Sequence, residues 1–418
     1  MQENIVYIDH IGRTEKYRIE LFLLFLFWPL LAFIIALHYY QQREAKIIIY
    51  LFIIFFGATF YIGNPAFDSY RLIQEFQMIA SRPFDEFWKI LSGLYTGTRA
   101  DIAKPLILYT VSRFGNSESL VFGVLAAVFG WFYLKGINLV YSESIKQNKN
   151  ASIHFFFFLF LNTVFNISGF RFWTAAWVFF YGAYNVVQNR DIRFFMLSLL
   201  SILFHFSFIF PNVILIAWFL LGNRNKAFTI LLVISFIIPE LFWPQIQSVV
   251  AFFGGPIEAK FNIYTNPDYG EQVVAMRQNT RWFMNVAGWG IFYYMLFMLF
   301  YLKNRFEKSL NNIRLNNLFS FSLLFISAVN FVRYIPSMGR FRTIFYLFAL
   351  SYIIAVFSHF RNDKINLTTW LGMVPLTLGF IITIRVGLEM TSLWLLAPLP
   401  LVLFSEPLSI YEMIQSVL

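Results

Sequence analysis

The chain has 418 residues, of which 59% are hydrophobic, 21% aromatic and only 13% charged, with a formal net charge of +10. Ordinary globular chains carry about 25% charged residues, so this composition excludes a water-soluble surface. Apolar runs of roughly 15 to 22 residues recur along the sequence, and a helix of about 20 residues crosses a bilayer. The sequence therefore predicts a polytopic integral membrane protein with one transmembrane domain over residues 1–418.

The chain contains no cysteine, which excludes disulfides, thiol catalysis and cysteine-ligated metals. In a soluble protein, the excess of basic residues would suggest nucleic acid as a partner. In a membrane protein it indicates the Lys and Arg of cytoplasmic loops, so no nucleic-acid partner is predicted. The first apolar run lacks a small-residue cleavage site and is predicted to be a retained helix.

Hydropathy predicts about 11 to 13 transmembrane helices and an all-α fold. Candidate spans cover residues 21–38, 47–62, 117–134, 152–168, 172–188, 194–208, 209–221, 227–248, 283–302, 315–332, 343–358, 366–384 and 391–404. Two of these spans meet at Phe210-Pro211-Asn212, where the proline predicts a helix break. Broken helices at membrane depth occur where the backbone lines protein or a wet cavity, so this break predicts a nearby site.

Basic residues predict the orientation of the spans. If the loop that contains Arg43 and Lys46 is cytoplasmic, the later loops on that side are basic as well, as the positive-inside rule requires. Two long loops, residues 63–116 and 254–282, then lie on the extracytoplasmic side. The first is predicted to contain an amphipathic segment from Tyr70 to Lys89 and a short interfacial helix that opens at Pro105. The second has turn sequences typical of a lid or a binding loop.

Several arginines lie at the outer ends of predicted spans, where the positive-inside rule predicts few. They are Arg171, Arg277, Arg281, Arg333, Arg340, Arg342 and Arg385. A guanidinium at membrane depth is costly unless it faces a cavity or a partner, and its planar fork matches phosphate oxygens. Each arginine could instead extend to lipid head groups or pair with an acid such as Asp68 or Glu389. As a set on one side, they predict an anion site that is densest in the turn 333–342.

His205 is the most informative of the five histidines because it lies at the outer end of its span, beside the predicted break. It is either a hydrogen-bonded core residue or a neutral base or hydrogen-bond partner in the anion site. No His, Asp or Glu residues have metal-site spacing, although Asp68 and Asp101 could still meet in space. Nucleotide-binding loops are also missing, so no cofactor is predicted.

The order of these features resembles the EpsG/Wzy group of bacterial polysaccharide (O-antigen) polymerases over residues 45–360. An outer-loop signature is approximated by Gly63, Asp68, Tyr70 and Phe76; the other matching positions are Arg171 with Ala175-Ala176, His205-Phe206-Ser207, and Arg340 with Tyr346. The chain departs from the family at Lys104-Pro105-Leu106, where an acidic residue is usual, and Asp68 is displaced from Gly63 by an insertion.

The resemblance implies an all-α, GT-C-like membrane enzyme that joins undecaprenyl-pyrophosphate-linked oligosaccharide repeat units at the periplasmic face of the inner membrane. Membrane lipids, a flippase and a chain-length regulator are its expected partners. We expect Arg171, Arg333, Arg340 and Arg342 to hold pyrophosphate, His205 or Asp68 to activate the acceptor, and Arg277, Arg281, Tyr70 and Tyr346 to bind substrate. Other lipid-linked-sugar transferases, such as an O-antigen ligase, a flippase, and a structural scaffold remain alternatives.

Overall fold

The computed structural model describes residues 19–62, 68–83, 85–95, 101–237, 248, 282–310, 312–333, 335, 338–402 and 409–417. Within these ranges the chain is helical, and pairing between extended segments is limited to isolated bridges. The helices are α1 (19–27), α2 (Pro29–His38), α3 (Arg43–Ala58), α4 (Asp68–Ala80), α5 (Asp85–Tyr95), α6 (Ala103–Ser112), α7 (Glu118–Val140), α8 (Lys149–Phe160), α9 (Phe170–Asn189), α10 (Arg193–Phe204), α11 (Ile209–Leu221), α12 (Asn225–Ile237), α13 (Trp282–Leu310), α14 (Ile313–Phe331), α15 (Phe341–Ser358), α16 (Leu367–Met390), α17 (Leu399–Val402) and α18 (Ile410–Val417).

In the described ranges, five helical segments are long and apolar enough to cross a membrane. They are Glu118–Val140, Lys149–Asn189, Trp282–Phe306, Met338–Ser358 and Leu367–Met390. Shorter apolar helices include α2, α10 and α12, which coincide with further predicted spans. The prediction of an all-α, multi-pass membrane protein is confirmed.

Helix α9 lies at the centre of the bundle and packs against α7, α10, α14 and α15. Its Trp177, Phe179 and Phe180 are fully buried. Gly182 lets α10 approach closely, because a Cβ at this position would lie 2.5 Å from the backbone nitrogen of Ser198. The first turn of this tightly packed helix carries Arg171, so the core of the bundle fixes where that arginine emerges.

The break between the predicted spans 194–208 and 209–221 falls at His205, and its predicted position at Phe210-Pro211-Asn212 is wrong. Helix α10 ends at Phe204, His205 is extended, and a 3-10 turn over Phe206–Phe208 leads into α11. Pro211 lies in the first turn of α11, where a missing N–H breaks no helical hydrogen bond.

The predicted span 152–168 also ends earlier than its apolar composition indicates. Helix α8 stops at Phe160, and a 3-10 turn covers Val164–Gly169. The Thr163 side chain accepts from the Phe165 N–H, and Asn162 Nδ2 donates to the Trp173 carbonyl at 3.0 Å. Such side-chain bonds compete with helix continuation, and here they form the turn that precedes α9.

The first long loop folds into α4, α5 and α6. The amphipathic segment predicted from Tyr70 to Lys89 forms two helices, which are separated near Pro83, and the helix predicted at Pro105 is α6. The Ile102 N–H donates to the Leu203 carbonyl at 3.0 Å, which ties the start of α6 to the end of α10. The second long loop, 254–282, lies outside the described residues except for Trp282, which begins α13.

Candidate active site

A cavity of about 260 Å³ lies where α4, the start of α6, the first turn of α9 and the end of α10 come together. Its titratable lining consists of Asp68, Arg71, Glu75, Lys104, Arg171, His205 and Arg340. Four of the site residues expected from sequence therefore share one cavity: Asp68, Arg171, His205 and Arg340. The sequence reasoning did not single out Arg71, Glu75 and Lys104 as site residues.

Arg171 is held from one side by a buried carboxylate. Its Nη1 donates to Oδ2 of Asp101 at 2.7 Å. The side chain of Asp101 is only 4% exposed, whereas that of Arg171 is 43% exposed. The contact therefore orients the guanidinium and leaves part of it accessible from the cavity. Arg171 is one of the site residues expected from the sequence, whereas Asp101 is not.

Arg340 is exposed and rests on an aromatic ring. Its guanidinium carbon lies 5.8 Å from the ring centroid of Phe172, the residue after Arg171. The same ring packs edge-on against His205 at 5.5 Å and against Phe341 at 5.4 Å. Among the described side chains, no carboxylate lies within ion-pair distance of Arg340. Phe172 thus holds an arginine and a histidine from distant parts of the chain around one ring.

The extended backbone at His205 turns its side chain toward the following 3-10 turn. Nδ1 accepts a hydrogen bond from the Ser207 backbone N–H at 3.3 Å and lies 2.7 Å from Ser207 Oγ. A ring nitrogen that accepts from a backbone N–H carries no proton, so this pattern assigns the proton of the neutral ring to Nε2. In this state Nε2 is a hydrogen-bond donor.

Glu75 and Lys104 form an ion pair in the cavity wall. The Lys104 side chain is 14% exposed and that of Glu75 is 34% exposed. Burial lowers the pKa of the Lys104 ammonium, and the charge and hydrogen bond of Glu75 oppose this shift. Arg171 and Asp101 are also close enough to affect the Lys104 pKa, in opposite directions. Charges of alternating sign therefore follow one another in the order Glu75, Lys104, Asp101 and Arg171, with Asp101 buried behind the three residues that line the cavity.

Asp68 lies at the rim. Its side chain is 61% exposed, and its Oδ1 is 3.9 Å from Arg71 Nη1. An exposed pair at this distance contributes little to stability. Its Oδ2 is 4.0 Å from the position that a Cβ would occupy at Gly169, which places it beside the turn before α9.

The EpsG family model matches residues 84–392, which is more than half of the chain. The protein belongs to the EpsG family. No curated protein and no solved structure matches the chain significantly. The resemblance inferred from the sequence is thus confirmed, and the chain is a polysaccharide-polymerase-like, glycosyltransferase-like membrane protein. The matched range contains Lys104, Arg171, His205 and Arg340, whereas Asp68 and Glu75 precede it.

The other expected site residues that lie in the described ranges, namely Arg333, Arg342, Tyr70 and Tyr346, do not line this cavity. Arg342 stacks on Trp289 of α13, with 4.4 Å from its guanidinium carbon to the ring centroid. The Tyr346 hydroxyl donates to the Gly288 carbonyl at 3.5 Å, on the same side of α15. Arg333 is half-buried after the end of α14, and Tyr70 is exposed on α4. Arg277 and Arg281 lie outside the described residues.

Arg340 and Arg342 diverge because of helix geometry. Residues two positions apart on a helix are rotated by about 200° about its axis, so the two side chains leave nearly opposite faces. Arg385 also has a simple structural partner, since its Nη2 lies 3.5 Å from Glu389 Oε1. Within the described part of the chain, no group of three or more His, Asp or Glu side chains could hold a metal ion.

Proposed function

We propose that the protein is a polysaccharide (O-antigen) polymerase that joins undecaprenyl-pyrophosphate-linked oligosaccharide repeat units at the periplasmic face of the bacterial inner membrane. Membership of the EpsG family supports the class of activity. One structural observation carries the proposal: Arg171, Arg340 and His205 line a single cavity at one end of the helix bundle. The basic-residue pattern predicts that this end faces away from the cytoplasm.

Arg171 and Arg340 are suited to hold a diphosphate. Asp101 orients Arg171, and the ring of Phe172 supports Arg340. Both guanidinium groups are at least partly accessible, and their planar N–H forks can form paired hydrogen bonds with phosphate oxygens. Lys104 and Arg71 add positive charge to the same wall.

The proposed reaction needs this positive charge at the leaving group. When the bond between the sugar and the diphosphate breaks, negative charge develops on the lipid diphosphate. Donors that are already fixed in place stabilise such charge without reorganisation, and the Arg171 and Arg340 guanidinium groups fill this role without a metal ion. The Nε2–H of His205 would donate a further hydrogen bond to the same anion.

The cavity size fits a head group rather than a whole glycan. Its volume of about 260 Å³ lies just below the range of typical small-molecule sites, roughly 300 to 1,000 Å³. The diphosphate and the first sugar would therefore occupy the cavity, and the rest of the oligosaccharide would extend beyond it. Exposed apolar side chains on the neighbouring α10 and α11, such as Met196 and Val213, are suited to contact the polyprenyl chain and membrane lipids. A flippase and a chain-length regulator would supply and limit the reaction as partners.

The test is to incubate purified protein with a synthetic lipid-linked repeat unit in detergent or vesicles, without nucleotide and with a chelator. A ladder of polymers that differ by one repeat unit supports the proposal. Transfer of the glycan to a lipid A core acceptor, without a ladder, identifies a ligase and contradicts it. Movement of the lipid-linked unit across a vesicle membrane without any new glycosidic bond identifies a flippase and also contradicts it.

A further inference from the structure

Three carboxylates lie in the cavity wall or directly behind it, and they differ in how accessible their oxygens are to a bound sugar. Asp101 is 4% exposed and bonded to Arg171, so an acceptor sugar cannot reach it. Asp68 is 61% exposed at the rim, where water competes for its oxygens. Glu75 lies between these extremes, with a 34% exposed side chain that lines the cavity.

Asp68 and Glu75 lie on the same stripe of α4. Positions 68, 71, 72 and 75 all line the cavity and have the spacing of a single helical face. Seven residues correspond to a rise of about 10 Å, so the two carboxylates are at opposite ends of this stripe. Glu75 is the end that adjoins Lys104, and Lys104 is in turn close to Asp101 and Arg171. An acceptor bound near Glu75 would therefore be next to the side chains proposed to hold the diphosphate.

His205 is poorly placed to take a proton. Its Nδ1 already accepts from the Ser207 backbone, and its Nε2 carries the proton of the neutral ring. A general base needs a free lone pair within reach of the hydroxyl that it deprotonates. The Glu75 carboxylate has two oxygens, and one lone pair is enough for the ion pair with Lys104.

From this geometry we infer that Glu75 is the catalytic base of the transfer reaction, with Lys104 as its positioning residue. The inference rests on the proposed function. The proton of the acceptor hydroxyl moves to a Glu75 carboxylate oxygen as the acceptor oxygen bonds to the anomeric carbon of the donor sugar. The bond from that carbon to the diphosphate oxygen breaks, and its electron pair leaves with the lipid diphosphate. Glu75 then releases the proton to water and returns to the carboxylate.

The experiment compares Glu75→Gln with the matched control Glu86→Gln in the polymerisation assay. Glu86 lies on α5, pairs with Arg82 at 2.6 Å and does not line the cavity. Loss of a general base typically slows a reaction about 10²- to 10⁴-fold, so we expect at least a hundredfold slower ladder formation with Glu75→Gln. Donor affinity should change only a few-fold, and Glu86→Gln should keep wild-type activity.

A double variant separates catalysis from folding, because Glu75→Gln leaves the Lys104 ammonium without its partner. In Glu75→Gln with Lys104→Met both charges are removed, and we expect the thermal unfolding temperature to recover but the activity to stay lost. Lys104→Met alone should keep measurable activity, because the carboxylate is still present. If Glu75 were only a structural partner of Lys104, both single variants would lose activity equally and the double variant would regain it, which overturns the inference.

The outcome also distinguishes this inference from the proposed function. If the wild-type protein forms glycosidic bonds and folded Glu75→Gln forms them at a similar rate, only the role of Glu75 is overturned. If the wild-type protein forms no glycosidic bond from the lipid-linked substrate, the proposed function is contradicted, and so is the role of Glu75 as its catalytic base.

Discussion

Arg171 donates a hydrogen bond of 2.7 Å to Asp101, although 70 residues separate the two in the chain. Asp101 lies two residues before α6, which belongs to the first long loop, and Arg171 lies in the first turn of α9, whose Trp177 and Phe180 are fully buried. The contact therefore links the loop to the core at the cavity. It also gives Asp101 a positioning role, since its own side chain is almost fully buried.

We predict that Asp101→Asn weakens donor binding more than it weakens the fold. The amide keeps an acceptor oxygen for Arg171 but removes the charge that holds the guanidinium. Because Arg171 is partly exposed, the loss of unfolding free energy should be at the low end for a charge-assisted hydrogen bond, about 1 to 2 kcal/mol. Donor titrations and thermal unfolding in the same detergent measure the two effects.

A double-mutant cycle with Arg171→Gln checks this coupling. If Asp101 acts through Arg171, the two losses in donor affinity should be clearly less than additive. Additive losses would show that Asp101 contributes to the site independently of the arginine.

We predict that Arg340→Gln strongly reduces polymer formation and that Arg385→Gln does not. Arg340 lines the cavity, and removal of one fixed donor to a developing anion typically costs about a hundredfold in rate. Arg385 belongs to the same set of outer arginines in the sequence, but it is 49% exposed and pairs with Glu389. Such an exposed pair contributes at most about 1 kcal/mol. Initial rates of ladder formation at equal protein concentration provide the comparison, and equal losses would contradict the separation of the two arginines.

The length and composition of the apolar runs were sufficient to predict an all-helical membrane protein, because a bilayer requires long apolar helices. The basic-residue pattern predicted that Arg171, His205 and Arg340 lie at helix ends on the same side of the membrane. In the structure these three residues line one cavity. These predictions depend on local sequence and on one constraint, the membrane. They needed no knowledge of which helices are neighbours.

The rest of the site depends on contacts between distant segments. Asp101 and Lys104 reach the site only because α6 packs beside α4 and α9. The sequence alone does not determine that packing. Glu75 belongs to the polar face of an amphipathic helix. Such a face is ordinarily solvated, so the sequence pattern offered no reason to place Glu75 in a site. Arg342 looked equivalent to Arg340 in the turn 333–342, but the start of α15 at Phe341 turns it toward Trp289. The predicted break at Pro211 was misplaced because a proline is tolerated in the first turn of a helix, and the interruption falls at His205.

We predict that His205→Gln keeps more activity than His205→Asn. The glutamine amide nitrogen reaches about as far as Nε2 of the imidazole, so it can still donate a hydrogen bond to the diphosphate. The asparagine amide is shorter and corresponds in position to Nδ1, which accepts from Ser207 in the wild-type protein. Rates and donor affinities of the two variants test this order. If His205 acted as the base, both amides would be inactive to the same degree, because neither can accept a proton at neutral pH.

We predict that Gly57→Ala destabilises the bundle and that Gly288→Ala does not. At Gly57, a Cβ would lie 2.3 Å from the Ala126 Cβ and 2.4 Å from the Phe122 carbonyl oxygen, so α3 and α7 would have to separate. Overpacking of this kind costs about 1 to 3 kcal/mol. At Gly288, which also lies within a helix, the added Cβ would have no atom of the described residues within 4 Å apart from its chain neighbours and the nearby backbone of its own helix, and alanine favours helix by about 0.5 to 1 kcal/mol.

Thermal unfolding of both glycine variants in one detergent measures the difference. Adding Ala126→Gly to Gly57→Ala should restore only part of the lost stability, because it removes the contact with the side chain while the Phe122 carbonyl stays in place. Full recovery would mean that the two helices adjust their backbones, and an unchanged melting temperature in Gly57→Ala itself would show that α3 and α7 do not pack this closely. Neither glycine lines the cavity, so donor affinity should be unchanged wherever the variant remains folded.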